Sequence, residues 1–267
     1  MEKVIRLVTL LLLLAGPGPA WAVDSICGAN AYIDEVIISA DAKTTVCACL
    51  PGFARVDDRC ERQVPAEWLE RATLMLPQLL TGDVSVSLEE NGERIPVSGE
   101  RMFYANLVVV GATGQLTAYL DNRMRLRLSA NSELRLGELL PDNMLVIDTL
   151  KGMLRLDNHP SPEDARWVEE KLGRARAWLK KTTSRRLTLR STNTSLAVRG
   201  TDFSLDGLDN GDILVRLYSG ELKLEALLTG KELLMTADQV VMVPADGAMP
   251  YRLTRAEAER FRGRKAP

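Results

Sequence analysis

Alternation of apolar and polar residues is the feature that most constrains the fold of this chain. Between about Thr81 and Pro244, apolar residues recur at every second position in short runs such as Met124–Leu128 and Leu134–Leu136. Successive side chains of a β-strand point to opposite faces of a sheet, so this period is typical of strands with one buried face. Short strands are stable only when they share a core with others. The pattern therefore predicts a mainly β domain of many short antiparallel strands.

The polar positions of one strand carry charge. In the run Met124–Leu128, the residues that alternate with the apolar ones are Arg125 and Arg127. Arginines on the outer face of a half-exposed strand are usually solvated. The alternative interpretation is a basic ligand-binding stripe on the sheet, and the alternation by itself leaves both interpretations open.

A helix is predicted to interrupt the strands. Ser161 can cap it, Pro162 suits its first position, and Glu163 and Asp164 complement the positive end of its dipole. Its predicted apolar face carries Trp167, Val168, Leu172, Ala175, Trp178 and Leu179. We expect an amphipathic helical insert over residues 161–181 that packs on the sheet through its two tryptophans.

The far end of this helix is basic. Positive side chains near a helix C-terminus complement the helix dipole, which is the structural interpretation. The alternative is a surface that contacts anionic lipid headgroups or an acidic cell-wall polymer. The basic residues are Arg174, Arg176, Lys180, Lys181, Arg185 and Arg186.

The N-terminus is typical of a targeting segment. Lys3 and Arg6 precede an apolar run, Leu7–Ala15, and the small residues of Ala20-Trp21-Ala22 follow it. This arrangement predicts a signal peptide over residues 1–22, cleaved after Ala22. The run is shorter than the roughly 20 apolar residues of a spanning helix, so an uncleaved signal anchor is only the alternative. We expect a periplasmic or otherwise secreted protein whose mature chain has no transmembrane span.

All four cysteines fall in one short segment. They are Cys27, Cys47, Cys49 and Cys60. An even number of cysteines in an exported chain predicts disulfides, each of which could contribute about 2–3 kcal/mol to a small module. The alternative is a four-cysteine zinc site, for which the C-x-C spacing is poorly suited.

The sequence around these cysteines resembles a known module. Cys47-Ala-Cys49-Leu-Pro-Gly52-Phe53, followed by Cys60, resembles the C-terminal half of an EGF-like module. The resemblance implies pairing of Cys27 with Cys47 and of Cys49 with Cys60. The chain lacks the third bridge of that family and its acidic calcium signature, so only an EGF-like fragment is implied.

Two shorter segments flank the β domain. Apolar residues at helical spacing run from Trp68 to Leu76, with Pro65 before them and Pro77 after them. This pattern predicts a linker helix within residues 63–80. The C-terminal segment, 251–267, is predicted to be a basic tail with a short helix.

The most specific pattern follows the helical insert. It contains Ala197-Val198-Arg199-Gly200-Thr201-Asp202-Phe203, then an alternating strand that reaches Gly220, then Ala237-Asp238-Gln239-Val240-Val241. This pattern closely resembles that of the FecR family, and the sequence from Thr113 to Leu154 also resembles that family. One family glycine is replaced by Asp238. The family-motif residues are Ala197, Val198, Arg199, Gly200, Thr201, Phe203, Gly220 and Gln239.

The resemblance implies a fold class and structural roles for these residues. The expected fold is a mainly β, FecR-like roll or solenoid, or a sandwich of short strands, with one inserted helix and a small disulfide-stapled N-terminal module. Gly200 and Gly220 lie between strand runs, where a residue without Cβ permits tight turns. Arg199 is expected to pair with a carboxylate and clamp the turn. The predicted units are the signal peptide (1–22), an EGF-like fragment (23–62), a linker helix (63–80), a FecR-like β domain (81–250) with its insert (161–181), and a tail (251–267).

The resemblance also implies a kind of function. Regulatory members of the family have a cytoplasmic anti-sigma segment, one membrane span and a periplasmic FecR domain that receives a signal from an outer-membrane transducer of iron uptake. Here a predicted signal peptide takes the place of the cytoplasmic segment. We therefore expect an exported, non-enzymatic protein that binds, senses or scaffolds an envelope protein partner. The alternatives are a structural module that binds cell-wall glycan or polysaccharide, and the periplasmic part of an iron-linked sigma-factor system.

Composition argues against other classes of function. The net charge is −2, and it becomes −3 once Glu2, Lys3 and Arg6 leave with the signal peptide, so no nucleic-acid partner is expected. Aromatic residues are only 5% of the chain, too few for a base-stacking surface. The single histidine, His159, excludes a multi-histidine metal site and precedes the helical insert, where a loop role is expected. We predict no catalytic residue, no metal ligand and no cofactor.

Overall fold

The computed structural model describes residues 26–38, 42–97, 102–121, 123–137, 144–158, 161–179, 186–190, 194–227 and 229–261. The predicted signal peptide (1–22) and His159 lie outside these residues. Within the described ranges, no helix combines the length and the apolar character needed to cross a membrane.

The N-terminal region consists of two hairpins held by disulfides. β1 (Ala31–Ile38) pairs antiparallel with β2 (Lys43–Cys49), and β3 (Phe53–Val56) pairs with β4 (Arg59–Arg62). The disulfides join Cys27 to Cys47 and Cys49 to Cys60, with Cα atoms 5.4 Å and 5.5 Å apart. These are the two pairs that the EGF-like resemblance implies. The zinc alternative is excluded because all four sulfurs are bonded in pairs.

The segment after the disulfides differs from its prediction. Helix α1 (Ala66–Arg71) ends early, and β5 (Thr73–Thr81) follows at once. The prediction of a helix as far as Leu76 is therefore wrong. Leu74, Met75 and Leu76 are all fully buried, and a continuous apolar run fits a strand with two buried faces as well as it fits a helix.

Pro77 does not end this element. It lies inside β5, next to a register shift in the pairing with the neighbouring strand: Thr117 faces Leu79, and Ala118 faces Pro77. A proline cannot donate to the ladder, and a bulge is one of the few places where a strand tolerates it.

The described residues from β5 onward form a large, mostly antiparallel sheet with two further helices, α2 (Pro162–Leu179) and α3 (Arg255–Glu259). The strands are β6 (Val84–Glu90), β7 (Glu93–Pro96), β8 (Phe103–Ala105), β9 (Leu107–Val110), β10 (Gln115–Leu120), β11 (Arg125–Leu128), β12 (Ser132–Leu136), β13 (Met144–Asp157), β14 (Arg186–Arg190), β15 (Thr194–Gly207), β16 (Ile213–Ala226), β17 (Lys231–Thr236), β18 (Val240–Val243) and β19 (Tyr251–Arg252).

Three long strands belong to two layers at once. In β13, β15 and β16, the two halves of each strand pair with different neighbours. One layer runs β8-β5-β10-β11-β13-β15-β16-β18-β19, and the other runs β7-β6-β9-β12-β13-β14-β15-β16-β17. β13 and β14 are parallel, and the other pairings are antiparallel. The sheet thus folds over on itself, and the prediction of a mainly β fold is confirmed.

The core lies between the two layers. Leucines that alternate with polar residues on β11 and β13 belong to the same apolar cluster as those on β12 and β16. A single apolar cluster joins both layers and also takes in Val64 and Leu69 ahead of β5. Fully buried members from the two layers are Leu126, Leu154, Leu156, Phe203, Leu134, Leu222 and Leu224.

Helix α2 lies close to its predicted bounds. It contacts β5 and buries Val168, Leu172 and Ala175. The prediction that it packs through two tryptophans is wrong for Trp167, whose side chain is 41% exposed. Trp167 and Val168 are adjacent, so they point in different directions around the helix. The side chain of Trp178 is not among those described.

Candidate functional site

The family motif lies at a corner of the folded sheet. Arg199 faces Glu221 in the β15–β16 ladder, and the next pair joins Asp202 to Ser219. Gly200 and Thr201 therefore both stand opposite Gly220. This pairing of two residues with one is a β-bulge, which bends the ladder. Gly220 has a φ of +85°, a conformation that L side chains rarely adopt.

The described part of this motif is buried. Thr201 and Phe203 are fully shielded from solvent, so they contribute to the corner and offer no surface to a ligand. The backbone of Arg199 lies in the β15–β16 ladder, but the side chains of residues 197–200 are not among those described. A clamp made by the Arg199 guanidinium stays a prediction.

A second corner bends β13. Gly152 has a φ of +77°, and a Cβ placed there would lie 2.7 Å from the Asn131 carbonyl oxygen. Beside it, the buried Ser132 hydroxyl accepts a hydrogen bond from the Met153 N–H (3.0 Å) and donates to the Met153 carbonyl (3.2 Å). The bend is therefore set by a glycine and a serine clamp.

Gln239 ties the end of the domain together. Its Oε1 accepts hydrogen bonds from the Thr236 N–H at 3.1 Å and from Arg252 Nε at 3.2 Å. The preceding residue, Asp238, has a φ of +67°, which explains why the family has glycine at this position. The described motif residues thus build corners and turns.

Charge is concentrated elsewhere, on the outer face of the first layer. β11 and β13 pair so that Arg125 faces Asp157 and Arg127 faces Arg155. Because directly opposed residues of an antiparallel pair share a face, all four side chains lie together. We call Arg125, Arg127, Arg155 and Asp157 the arginine cluster.

The three guanidiniums converge on one carboxylate. Arg125 Nε donates to Asp157 Oδ2 at 3.0 Å, and Arg155 Nε donates to Oδ1 at 2.8 Å. Arg127 Nη2 also donates to Oδ2. The Asp157 side chain is only 5% exposed, whereas those of the arginines are 22–29% exposed. Three positive charges therefore surround one buried negative charge.

The pKa of Asp157 reflects this surrounding. Burial by itself raises the pKa, because it disfavours the charged form. The hydrogen bonds and positive charges of Arg155 and Arg127 together outweigh burial, so the pKa of Asp157 lies below its ordinary value. The carboxylate is thus charged at neutral pH and holds the guanidiniums in place.

Further groups border the cluster on both sides. Arg155 stacks on the Tyr218 ring, 4.5 Å from its centroid, and the Tyr218 and Ser204 hydroxyls lie 3.0 Å apart. On the other side lies Tyr119, which faces Arg125 across the β10–β11 ladder. Burial, and next the charge of Asp164 on α2, raises the pKa of Tyr119. The start of α2 and strand β16 therefore frame the cluster.

The arrangement suits recognition of an anion. A guanidinium carries several N–H donors in a rigid fork that matches carboxylate and phosphate oxygens. The basic stripe considered for Arg125 and Arg127 thus has a structural counterpart, to which β13 adds Arg155 and Asp157. These two also alternate with leucines, in the run Met153–Asp157, and that was the available signal in the sequence. Among the described residues, no group of three or more histidine, cysteine or acidic side chains could hold a metal ion.

Comparisons with known proteins found one family model and two solved structures that are similar to this chain. The family model described as FecR protein matches residues 106–223. Two solved structures of a protein from Parabacteroides distasonis, described as an anti-sigma factor and determined at 2.50 Å and 1.65 Å, are also similar. Each has 9% identity to this chain, a TM-score of 0.40 and a match over 55% of it.

The extent of these matches is partial. The chain spans 59% of the length of the Parabacteroides protein. No curated protein matches the chain. The family match runs from the start of β9 into β16, and so it includes the arginine cluster and the corners at Gly152 and Gly220. This chain is therefore similar to the FecR family over residues 106–223, as the resemblance in its sequence indicates.

Proposed function

We propose that this protein is an exported, non-enzymatic envelope protein that uses the arginine cluster to bind an acidic segment of a partner protein. The observation that carries the proposal is the convergence of Arg125, Arg127 and Arg155 on the single carboxylate of Asp157. The FecR domain supports a sensing or scaffolding role for such binding.

The geometry favours binding because the arginines are already oriented. A free arginine side chain loses rotamer freedom when it is immobilised, at a cost of about 0.5–1.5 kcal/mol. Here the hydrogen bonds to Asp157 and the stacking on Tyr218 restrict these side chains before any partner arrives. An acidic segment would add the negative charge that the cluster lacks, and its attraction would be strongest at low ionic strength.

The compartment is part of the proposal. Disulfides persist in oxidising compartments and are rare in the cytosol. The two disulfides therefore support a periplasmic or otherwise secreted protein, with cleavage of the predicted signal peptide after Ala22.

Crosslinked pull-down from intact envelopes tests this function. The wild-type chain should recover a defined partner, and Arg127→Gln should lose most of it, because Asp157 then holds only two guanidiniums. The matched control is Arg135→Gln, since Arg135 also lies on a strand and bonds a carboxylate, Glu89, at 2.7 Å, but belongs to the other layer.

The outcomes separate the proposal from its rivals. Equal recovery by wild type and Arg127→Gln would overturn the role of the cluster. Binding only to purified sacculi would favour the cell-wall module, and recovery of an outer-membrane transducer would favour the signalling system. Full-length chain should be used throughout, and circular dichroism should show that both variants fold.

A further inference from the structure

A separate cleft lies at the C-terminal edge of the first layer. It has a volume of about 460 Å³ and opens between β16, β18, the segment around β19 and helix α3. This size falls within the range of about 300–1,000 Å³ that is typical of sites for small organic ligands. The residues that matter for its chemistry are Arg216, Val240, Arg252, Leu253, Arg255 and Ala258.

The strands bring the base of the cleft together. Arg216 faces Val240 directly in the β16–β18 ladder, so both side chains lie on one face. The Leu253 N–H donates to the Val240 carbonyl at 2.9 Å, which places the segment after β19 beside them. An apolar surface thus borders the Arg216 guanidinium.

Helix α3 closes the opposite side. It begins with a capping box, in which Thr254 Oγ1 accepts from the Glu257 N–H at 3.3 Å and the Thr254 N–H donates to Glu257 Oε2 at 2.7 Å. The Ala258 carbonyl accepts a long hydrogen bond from Arg216 Nη2, at 3.5 Å. The capping box fixes the start of α3, and the Arg216 contact joins the helix to the sheet across the cleft.

The cleft carries positive charge that the described carboxylates do not take up. Arg252 donates to Gln239 Oε1 (3.2 Å) and to the Leu234 carbonyl (2.7 Å), and both acceptors are neutral. Arg216 likewise donates to a carbonyl, and Arg255 makes no hydrogen bond or ion pair with any residue in the described ranges. Asp238 and Glu259 also line the cleft, and Glu259 makes a contact of its own.

In the arginine cluster, the Asp157 carboxylate accepts hydrogen bonds from three arginines. In the cleft, Arg216 and Arg252 donate to neutral acceptors instead. Guanidiniums bind carboxylates through paired, charge-assisted hydrogen bonds. The aliphatic side chains of Val240, Leu253 and Ala258 can contact the apolar body of the same molecule.

We propose that this cleft binds a small organic carboxylate with a short apolar body, its carboxylate between Arg216 and Arg255. The site lies outside the arginine cluster, and the proposal does not depend on the partner binding described above.

Titration of the full-length chain with hexanoate tests this site, with methyl resonances of Val240 and Leu253 as the readout. We expect saturable shifts at both methyl groups. Arg216→Gln and Arg255→Gln should each weaken hexanoate binding about tenfold, because each removes a charge-assisted hydrogen bond. Arg255 is exposed, so its variant should fold even if Arg216→Gln does not. The matched control is Arg59→Gln, an exposed strand arginine in the disulfide module that should bind like wild type.

Two further probes make the result specific. Hexanamide has the same body without the charge, and inorganic phosphate has charge without the body. Both should bind more weakly than hexanoate. Equal binding of phosphate would replace the carboxylate assignment by a general anion site, and equal binding of hexanamide would exclude the arginines as the basis of recognition. Absence of saturable shifts with hexanoate, or unchanged binding in both arginine variants, would overturn the proposal.

Discussion

Asp157 holds together three arginines that would otherwise repel one another. Its carboxylate accepts hydrogen bonds from both neighbours on β11 and from Arg155 on its own strand. Breaking a buried ion pair by removing one partner is more costly than the pair is worth, because the remaining charges lose their compensation. The same residue thus serves stability and prepares the proposed binding surface.

We expect Asp157→Asn to lower the free energy of unfolding by about 1–3 kcal/mol, because three partly buried guanidiniums lose their counter-charge. Urea denaturation at neutral pH measures this change. The matched control is Glu89→Gln. Glu89 pairs with Arg94 and Arg135, which are more exposed, so its replacement should lower the free energy of unfolding by less than about 1 kcal/mol. Equal losses of unfolding free energy in the two variants would show that the burial of Asp157 does not make its ion pairs more important for stability.

The stability difference between wild type and Asp157→Asn should depend on pH. The pKa of Asp157 is lower in the folded chain than its ordinary value of 3.8. As pH falls, Asp157 therefore takes up a proton in the unfolded chain before it does so in the folded chain. Its contribution to stability is complete above pH 3.8 and is lost as pH drops from 3.8 toward the pKa of the folded chain. Unfolding measured from neutral to acid pH should show the gap between wild type and Asp157→Asn narrowing in that window. A gap that stays constant would contradict the assignment.

At the scale of elements, glycines decide where the long strands bend. Gly152 and Gly220 both have positive φ, and each stands where its strand passes from one layer to the other. At Gly152 the alternation of apolar residues keeps its phase, from Leu150 to Leu154 and Leu156. At Gly220 it shifts by one residue, from Val215 and Leu217 to Leu222 and Leu224. The glycine and the shift in phase together mark the corner at Gly220, whereas the glycine alone marks the corner at Gly152.

Gly152→Ala should destabilise the domain by about 1–3 kcal/mol, because its φ of +77° strains an L residue and its Cβ would lie within 2.8 Å of the Ser132 backbone. Thermal and urea unfolding check the result. Gly173→Ala is the matched control: Gly173 lies within α2 with no atom within 4 Å of an added Cβ, so alanine there should stabilise by up to about 1 kcal/mol. Changes of the same sign in the two variants would contradict the corner role.

At the scale of the whole molecule, the disulfides and the main core are separate sources of stability. All four cysteines precede β5, and the central apolar cluster begins only at Val64. Among the described side chains of the N-terminal hairpins, Phe53 is the one large apolar group that is buried. Small modules of this kind usually depend on their disulfides.

Reduction of the disulfides should therefore release β1–β4 and leave the folded-over sheet intact. Hydrogen exchange of oxidised and reduced protein measures this difference, since amides in locally unfolded segments exchange faster. We expect loss of protection within residues 31–62 and unchanged protection in β10 and β13. Loss of protection throughout the chain would mean that the two regions unfold as one unit.

The sequence by itself determined the elements whose signals are local. The period of two identified the strands, the caps and charges at Ser161–Asp164 located helix α2, and the spacing of the cysteines, read through the EGF-like resemblance, implied their pairing. The motif around Arg199-Gly200-Thr201 indicated the similarity to the FecR family that the family model also finds. Each of these signals depends on residues that are close in the chain, so the sequence shows them directly.

Only the tertiary structure decided what depends on distant residues. Leu74–Leu76 became a strand because β8 and β10 pair with it on both sides, and Trp167 turned outward because the neighbouring face of α2 meets the sheet. The register of β11 with β13 brought the three arginines of the cluster to Asp157. Arg125 and Asp157 are 32 positions apart in the sequence. The physical reason is that burial, register and charge compensation arise between elements, where local periodicity carries no information.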